Sequence, residues 1–207
     1  IRFDPDKGFF LNGQHVELQG TANHQDHAGV GVAVPDSIWD FRVRKLKEMG
    51  SNAYRTAHNP QARELLDACD RQGMLVMDET RHFNASPEYL KQLEWLVRRD
   101  RNHPSVILWS LFNEEGLEVN AEGMAIARTM NAVVKQLDTT RPTTGAQNKG
   151  QLGPDGKANP NNAAQVLDVV GINYQTDLYD KIRAAYPDKP IVSTEDTSQV
   201  MTRGEYR

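Results

Sequence analysis

Cysteine, long apolar runs and an excess of positive charge are scarce or missing in this sequence of 207 residues. The one cysteine, Cys69, excludes a disulfide framework and a multi-cysteine zinc site, and its helical context predicts a buried thiol. No stretch approaches the roughly 20 apolar residues needed to cross a bilayer, so we expect no membrane partner. The 24 basic and 28 acidic residues give a net charge of −4, which argues against a nucleic-acid partner.

The first residues carry no initiator methionine and no signal peptide, so we expect a piece of a longer protein. The compartment is therefore left open, and the cysteine-poor composition fits a soluble protein of the cytoplasm or the periplasm. A length of 207 residues fits one domain. The 25% of charged and 38% of hydrophobic residues are typical of a globular chain.

Short apolar runs alternate with helical patterns along the chain. After a hairpin predicted at Asn12-Gly13, seven strands are predicted over residues 16–22, 52–55, 74–77, 106–112, 143–146, 166–172 and 191–194. Apolar stripes predict helices over 36–50, 62–73, 89–97, 126–137 and 178–185. The segment 148–163 is rich in Gly, Asn and Pro and reads as a loop.

Repeated strand–helix units indicate an α/β fold with a parallel sheet. Seven units without a glycine-rich phosphate turn favour a barrel over a doubly wound sheet. A complete (β/α)8 TIM barrel typically needs about 250 residues and eight strands. We therefore predict that residues 1–207 form one incomplete barrel domain, with the eighth βα unit beyond Arg207.

Polar side chains follow six of the seven predicted strands. In such barrels the carboxyl ends of the strands carry the active site. The sequence therefore predicts a carboxylate-rich pocket formed by Asn23, His24, Asp26, His27, Arg55, His58, Asp78, Glu79, Asn113, Glu114, Glu115, Asn173, Tyr174, Glu195 and Asp196.

Two carboxylates from separate strands suit the cleavage of a glycosidic bond, where one protonates the leaving oxygen and the other attacks the anomeric carbon. A separation of about 5–5.5 Å retains configuration, and about 6.5–9.5 Å inverts it. Because strand faces alternate and the register is not known from sequence, the choices between Glu114 and Glu115 and between Glu195 and Asp196 stay open.

Four motifs resemble the signatures of glycoside hydrolase family 2 catalytic domains. The segments 20–27 (GTANHQDH) and 52–60 (NAYRTAHNP) resemble that family's first and second strands. The segment 100–114 (DRNHPSVILWSLFNE) resembles its acid/base strand, and 189–195 (KPIVSTE) its nucleophile strand. The resemblance runs from about Phe3 to the end and is nearest to β-galactosidases.

The resemblance implies roles for the residues at the predicted mouth. Glu114 is implied as the acid/base and Glu195 as the nucleophile of a retaining mechanism on terminal β-D-galactosides. The remaining implied roles support these two: Asn113 binds the sugar 2-hydroxyl, Tyr174 and Arg55 orient Glu195, His24 and His58 line the sugar subsite, and Asp78 with Glu79 lines the pocket.

Two departures from the family pattern shape the expectations for metals and partners. Some family β-galactosidases hold magnesium with a Glu and a His shortly after the third strand, but residues 79–84 (ETRHFN) do not reproduce that pattern. We therefore expect no metal and no cofactor. The family's β domains that precede the barrel are absent, so those missing N-terminal domains are expected partners, beside the carbohydrate; an oligomer is left open.

Three alternatives stand beside the β-galactosidase hypothesis. A β-glucuronidase or β-mannosidase specificity is the nearest, and Lys149 and Lys157 offer cations for a uronate carboxylate. A zinc hydrolase with His24, His27, His58 and Asp196 as ligands would be a different enzyme class. A carbohydrate-binding barrel without catalysis would use the same acids only to hydrogen-bond sugar hydroxyls.

Overall fold

A computed structural model describes residues 1–197, which form a small antiparallel sheet followed by a parallel β/α barrel. The antiparallel sheet contains β1 (Arg2–Asp4), β2 (Gly8–Leu11) and β3 (Gln14–His15). The barrel strands are β4 (Gly20–Asn23), β5 (Ala53–Thr56), β6 (Leu75–Glu79), β7 (Val106–Asn113), β8 (Thr143–Gln147), β9 (Val170–Asn173) and β10 (Ile191–Glu195).

The seven barrel strands pair in sequence order, each parallel to the next, from β4 to β10. Each connection crosses back over the sheet, as parallel pairing requires. The prediction of an incomplete TIM barrel with seven strands is confirmed. The eighth βα unit, predicted beyond Arg207, lies outside the described residues.

Five helices cover the outside of the barrel: α1 (Asp36–Glu48), α2 (Arg63–Gln72), α3 (Pro87–Asp100), α4 (Ala121–Leu137) and α5 (Tyr179–Ala185). Their ends follow the sequence signals. Gly73 closes α2 with φ +68°, a left-handed conformation that suits glycine. Pro87 opens α3, where its missing N–H has no cost. The helices are confirmed to within a few residues.

Two predicted strands are shorter than expected. The strand predicted over 16–22 begins only at Gly20, because Val16 still bonds the hairpin through Phe9 and the parallel pairing starts at Gly20 opposite Ala53. The strand predicted over 166–172 begins at Val170. In both cases the preceding apolar residues pack into a core without joining the barrel sheet.

The small N-terminal sheet closes the floor of the barrel. The turn between β2 and β3 has Asn12 at φ +51° and Gly13 at φ +81°, as the predicted Asn-Gly hairpin requires. Phe9 on β2 is buried against the barrel interior residues Leu75 and Ile107. Apolar burial therefore fills the amino ends of the strands and leaves the carboxyl ends for polar side chains.

A larger apolar layer lies between the sheet and the helices. It includes Trp39 of α1, Leu65 of α2, Leu96 of α3 and Met130 of α4, all packed against strand residues such as Trp109. Cys69 is buried in this layer, as predicted, and burial raises the pKa of its thiol. Within residues 1–197 every helix is too short or too polar to cross a membrane.

The edge strands β4 and β10 face each other across a seam that opens into a cavity of about 1180 Å³. The cavity is lined by residues of both edges, and its inner wall includes Arg55 and Met77. Its polar end contains His24, His58 and Glu195. The sheet thus brings the predicted polar residues to one concave region.

Candidate active site

The carboxyl ends of the parallel strands place most of the predicted site residues in one hydrogen-bonded cluster. Arg55 comes from β5, Glu79 from β6, Asn113 and Glu114 from the end of β7, Asn173 and Tyr174 from the end of β9, and Glu195 from β10. Their contacts span residues up to 140 positions apart in the chain. The cluster therefore depends on the whole sheet and not on any local motif.

Arg55 is the centre of this cluster, and only 4% of its surface is exposed. Its guanidinium donates to Glu79: Nε lies 3.0 Å from Oε2, and Nη2 lies within 2.9 Å of both carboxylate oxygens. Nη1 donates to Glu195 Oε2 at 3.0 Å, and Nη2 also donates to Asn113 Oδ1 at 2.6 Å. One cation thus orients residues of three other strands.

Glu79 is fully buried, and its carboxylate bonds residues of the cluster and of the neighbouring strand wall. Besides Arg55, Ser110 Oγ donates to Oε2 at 2.7 Å, and His58 Nδ1 lies 3.0 Å from Oε1. A buried carboxylate needs such pairing, because an isolated buried charge is strongly unfavourable. Glu79 therefore acts as the fixed counter-ion of Arg55.

Asp78, which the sequence interpretation placed in the pocket, lies outside this cluster. Successive strand residues point to opposite faces, so Asp78 faces the helices while Glu79 faces the barrel interior. Its Oδ1 accepts from Thr56 Oγ1 at 3.1 Å, and its Oδ2 has no partner within the described chain. Burial and the nearby charge of Asp100 raise the pKa of Asp78 well above its usual range.

Glu195 accepts hydrogen bonds through both of its carboxylate oxygens. Tyr174 donates its hydroxyl to Oε1, and Arg55 donates to Oε2. Burial favours the neutral form of Glu195, but the Tyr174 hydrogen bond and the Arg55 charge outweigh burial and lower the pKa of the carboxyl group. The carboxylate is therefore ionised at neutral pH, as a nucleophile requires.

Asn173 links the two glutamates. Its Nδ2 lies 2.7 Å from Glu114 Oε1 and 3.5 Å from Glu195 Oε2. Thr194 Oγ1 donates to the Asn173 Oδ1 at 2.5 Å and so fixes which end of the amide faces the carboxylates. The sequence analysis placed Asn173 at a strand end but gave it no role; its position directly before Tyr174 was the available signal.

Glu114 and Tyr174 both leave their strands through an unusual backbone conformation. Their φ angles are +50° and +66°, in the left-handed region that non-glycine residues rarely adopt. Such residues typically cost about 1–3 kcal/mol and cluster at functional sites. Here the conformation turns each side chain from the end of the strand toward the neighbouring strands.

The two predicted sugar-subsite histidines lie together at the mouth. The rings of His24 and His58 meet edge to face, with centroids 5.0 Å apart. His24 is exposed. Arg42 of α1 holds its loop, because Arg42 Nη1 donates to the His24 carbonyl oxygen at 2.8 Å. His58 is half-buried between Glu79 and the mouth. Both can therefore reach a molecule in the cavity.

Glu115 and Asp196, the neighbours that sequence could not separate from Glu114 and Glu195, have other partners. Glu115 forms a reciprocal cap with Glu118 at the following helical turn. Asp196 accepts from the Tyr179 hydroxyl and from Ser193 Oγ. Neither takes part in the network around Arg55, as far as the described contacts go.

The residues after β6 do not fit the magnesium site of some related enzymes. Both oxygens of Glu79 are taken by Arg55, and the His82 ring packs against Tyr89 with centroids 4.4 Å apart. Within residues 1–197 one group of acidic and histidine side chains has metal-ligand spacing: Asp67, Asp70 and His103. It lies at the amino end of β7, where His103 Nδ1 is 2.6 Å from Asp70 Oδ2.

The residues considered as zinc ligands have separate partners. His27 lies beside Arg42, with 3.4 Å between His27 Nδ1 and Arg42 NH2, and Asp196 bonds Tyr179. His58 uses its Nδ1 on Glu79. These separate environments give no support to the zinc hydrolase alternative.

A parallel β/α barrel with two glutamates meeting at its carboxyl-terminal mouth has the architecture of a barrel glycosidase. Comparison with known families agrees. The family model described as "Glycosyl hydrolases family 2, TIM barrel domain" matches residues 5–85 and 82–206. The chain belongs to glycosyl hydrolase family 2.

Two curated relatives illustrate the range within the family. The chain is 34% identical over 249 residues to the beta-galactosidase BoGH2A of Bacteroides ovatus, covering 99% of this chain and 28% of the relative. It is 39% identical over 160 residues to a beta-glucuronidase of Bacteroides fragilis, covering 70% of this chain and 23% of the relative. The chain therefore spans about a quarter of the length of these relatives.

Solved structures give the same picture. A family 2 member from Bacteroides cellulosilyticus has a TM-score of 0.85 and 37% identity, over 94% of this chain and 27% of that one. A family 2 beta-galacturonidase from Eisenbergiella tayi, bound to galacturonate, has a TM-score of 0.77 and 25% identity, over 97% of this chain and 39% of that one. The fold is therefore shared by family 2 enzymes that are named for different sugars.

We predict that Asp78→Asn stabilises the protein more as the pH rises. The raised pKa means that native Asp78 keeps a proton that the unfolded chain releases above its ordinary pKa, so stability falls as pH rises toward the native value. Replacing Asp78 with Asn should raise the free energy of unfolding by about 1–3 kcal/mol more at about pH 8 than at about pH 5. Urea unfolding at both pH values measures the gain.

The exposed Asp177 provides the matched control through Asp177→Asn. That variant should follow the wild-type dependence on pH, because a solvated carboxylate loses little water on folding. An Asp78→Asn variant whose stability difference from wild type is the same at both pH values would contradict the placement of Asp78.

Proposed function

We propose that this chain is the catalytic barrel of a retaining glycoside hydrolase that cleaves terminal β-D-galactosides by double displacement. Glu195 is the nucleophile and Glu114 is the acid/base. The observation that carries the proposal is the shared contact of both glutamates with Asn173 Nδ2. An oxygen of each glutamate contacts this one nitrogen, at 2.7 and 3.5 Å, so the two carboxyl groups lie on either side of a single amide, which supports the close spacing of a retaining pair.

In the first step Glu195 attacks the anomeric carbon, forming a carbon–oxygen bond as the glycosidic bond breaks. Glu114 gives its proton to the departing oxygen. In the second step Glu114 takes a proton from water, whose oxygen attacks the anomeric carbon and releases Glu195 from the ester. The low pKa of Glu195 suits the first attack, because the carboxylate must be ionised.

The neighbouring residues bind and orient. Asn113 Oδ1 accepts from Arg55 and from Asn173, so its amide NH2 is left to donate to the sugar 2-hydroxyl. Tyr174 and Arg55 hold the nucleophile in place. His24 and His58 line the subsite and donate to sugar hydroxyls.

The whole enzyme has further domains in this proposal. The chain spans 28% of the beta-galactosidase relative and 27% of the Bacteroides cellulosilyticus structure, which supports β domains outside the barrel. No cofactor is required for the two displacement steps, because both proton transfers and the covalent bond use glutamates of this chain.

The galactoside specificity is supported by the beta-galactosidase relative that covers 99% of this chain. A glucuronide specificity is the second candidate, because several relatives carry that name, including the one from Bacteroides fragilis. The two sugars differ at C4, where the hydroxyl is axial in galactose and equatorial in glucuronic acid, and at C6, where a glucuronide has a carboxylate that needs a cation.

Nitrophenyl galactoside, glucuronide and mannoside compared by kcat/KM decide between these specificities. We expect the galactoside to be hydrolysed with the highest kcat/KM. A preference for the glucuronide would move the assignment to the second candidate, and a galactoside among the poorest substrates would refute the first.

Covalent trapping tests the nucleophile. A 2-fluoro glycoside with a dinitrophenyl leaving group should inactivate the enzyme and leave the fluorosugar on Glu195, because the fluorine slows both steps while the good leaving group speeds only the first. Mass spectrometry of the peptides locates the label. Glu195→Gln should bind sugar without turnover or labelling.

A label on Asp196, or unchanged turnover in Glu195→Gln, would remove Glu195 from the mechanism. Sugar binding without any turnover in the wild-type enzyme would favour the carbohydrate-binding barrel.

Glu114→Ala should slow substrates with poor leaving groups about 10²–10⁴-fold, and dinitrophenyl glycosides far less, when kcat/KM is compared. The reason is that a good leaving group departs without a proton. Glu115→Gln is the matched control, because it changes the adjacent carboxylate and keeps an acceptor for its cap. Equal slowing across leaving groups would contradict the acid role of Glu114.

A further inference from the structure

Glu118 is a fully buried acid that has no part in the chemistry above. It lies in the single turn of 3-10 helix Gly116–Val119, between β7 and α4. This turn follows the acid/base Glu114 directly. A buried acid beside a catalytic loop needs an explanation, because burial without full pairing is costly.

Its carboxyl group bonds the backbone of the catalytic loop. Oε2 accepts from the backbone N–H of Glu115 at 3.1 Å, which belongs to the peptide group directly after Glu114. Oε1 is buried and has no hydrogen-bond partner within the described residues. The peptide that follows Glu114 is thereby held by one buried side chain.

The backbone around this hydrogen bond is closely packed. A Cβ on Gly123 of α4 would lie 1.8 Å from the Leu117 carbonyl oxygen, and a Cβ on Gly150 would lie 2.2 Å from Val119 Cγ1. Helix α4 and the loop after β8 therefore pack closely against two sides of the 3-10 turn. The position of Glu118 is fixed relative to both.

Burial raises the pKa of Glu118 to about 8, against the opposing effect of Lys149. The group is therefore mostly neutral at pH 7, and it adds little negative charge next to Glu114. Glutamine, which is neutral and keeps an acceptor oxygen, is its nearest mimic.

We propose that Glu118 is a positioning residue that holds the acid/base Glu114 at proton-transfer distance by bonding the N–H of the peptide that follows it. The proposal rests on the assignment of Glu114 as the acid/base. Displacement of Glu114 should slow only the reactions that need its proton, and a misplacement of about 1 Å can lower the rate about 100-fold.

The test compares Glu118→Met and Glu118→Gln in the enzyme that carries this chain. Methionine has a similar size but cannot accept the hydrogen bond from the Glu115 N–H. We expect Glu118→Met to lower kcat/KM about tenfold or more for a phenyl glycoside and less than about threefold for the dinitrophenyl glycoside. Glu118→Gln should restore both values to near wild type.

Glu122→Ala, at an exposed glutamate in the first turn of α4, is the matched control and should leave both rates unchanged. If Glu118→Met does not fold, Glu118→Asp replaces it, because the shorter side chain cannot reach the Glu115 N–H from the same backbone position. That variant should show the same selective loss.

Equal loss for both leaving groups, or no loss in the folded Met or Asp variant, would overturn the positioning role. Failure of the underlying mechanism gives a different result: fluorosugar trapping would then miss Glu195 in the wild-type enzyme. Trapping in Glu118→Met should proceed at the wild-type rate, since the dinitrophenyl leaving group does not need the acid.

Discussion

The buried pair of Arg55 and Glu79 is the interaction on which the site depends. With 4% and 0% of their surfaces exposed, the two charges must neutralise each other, and removing one partner of such a pair typically costs about 3–5 kcal/mol. Glu79 fixes the guanidinium, and the remaining N–H groups of Arg55 then orient Asn113 and Glu195. The position of Glu195, the proposed nucleophile, is therefore fixed indirectly by Glu79 through Arg55.

Much of this fold could be predicted from sequence because strands such as β7 are nearly continuous apolar runs and the helices carry clear stripes. The gathering of polar residues at one mouth follows from parallel strands alone. What sequence could not supply is the face of each residue. Asp78 and Glu79 are adjacent acids, and the alternation that separates them is shifted by irregular pairing between Val76 and Met77.

Similar irregularities stand near the other site residues. The pairing shifts between Ser110 and Asn113 on β7 and between Ser193 and Glu195 on β10. These shifts and the left-handed conformation of Glu114 change the direction of side chains by amounts that no residue spacing reveals. The role of Asn173 was hidden for the same reason, because an amide is identified as a bridge only when both of its partners are located.

The order of the strands has a consequence for synthesis on the ribosome. Arg55 and Glu79 emerge well before Glu195, which ends the seventh barrel strand, so a nascent chain can form the ion pair while the pocket still lacks Glu195, the proposed nucleophile. Contacts over 140 residues also close slowly. The hydrogen-bonded cluster around Arg55 is therefore complete only when almost all of this barrel sheet has been translated.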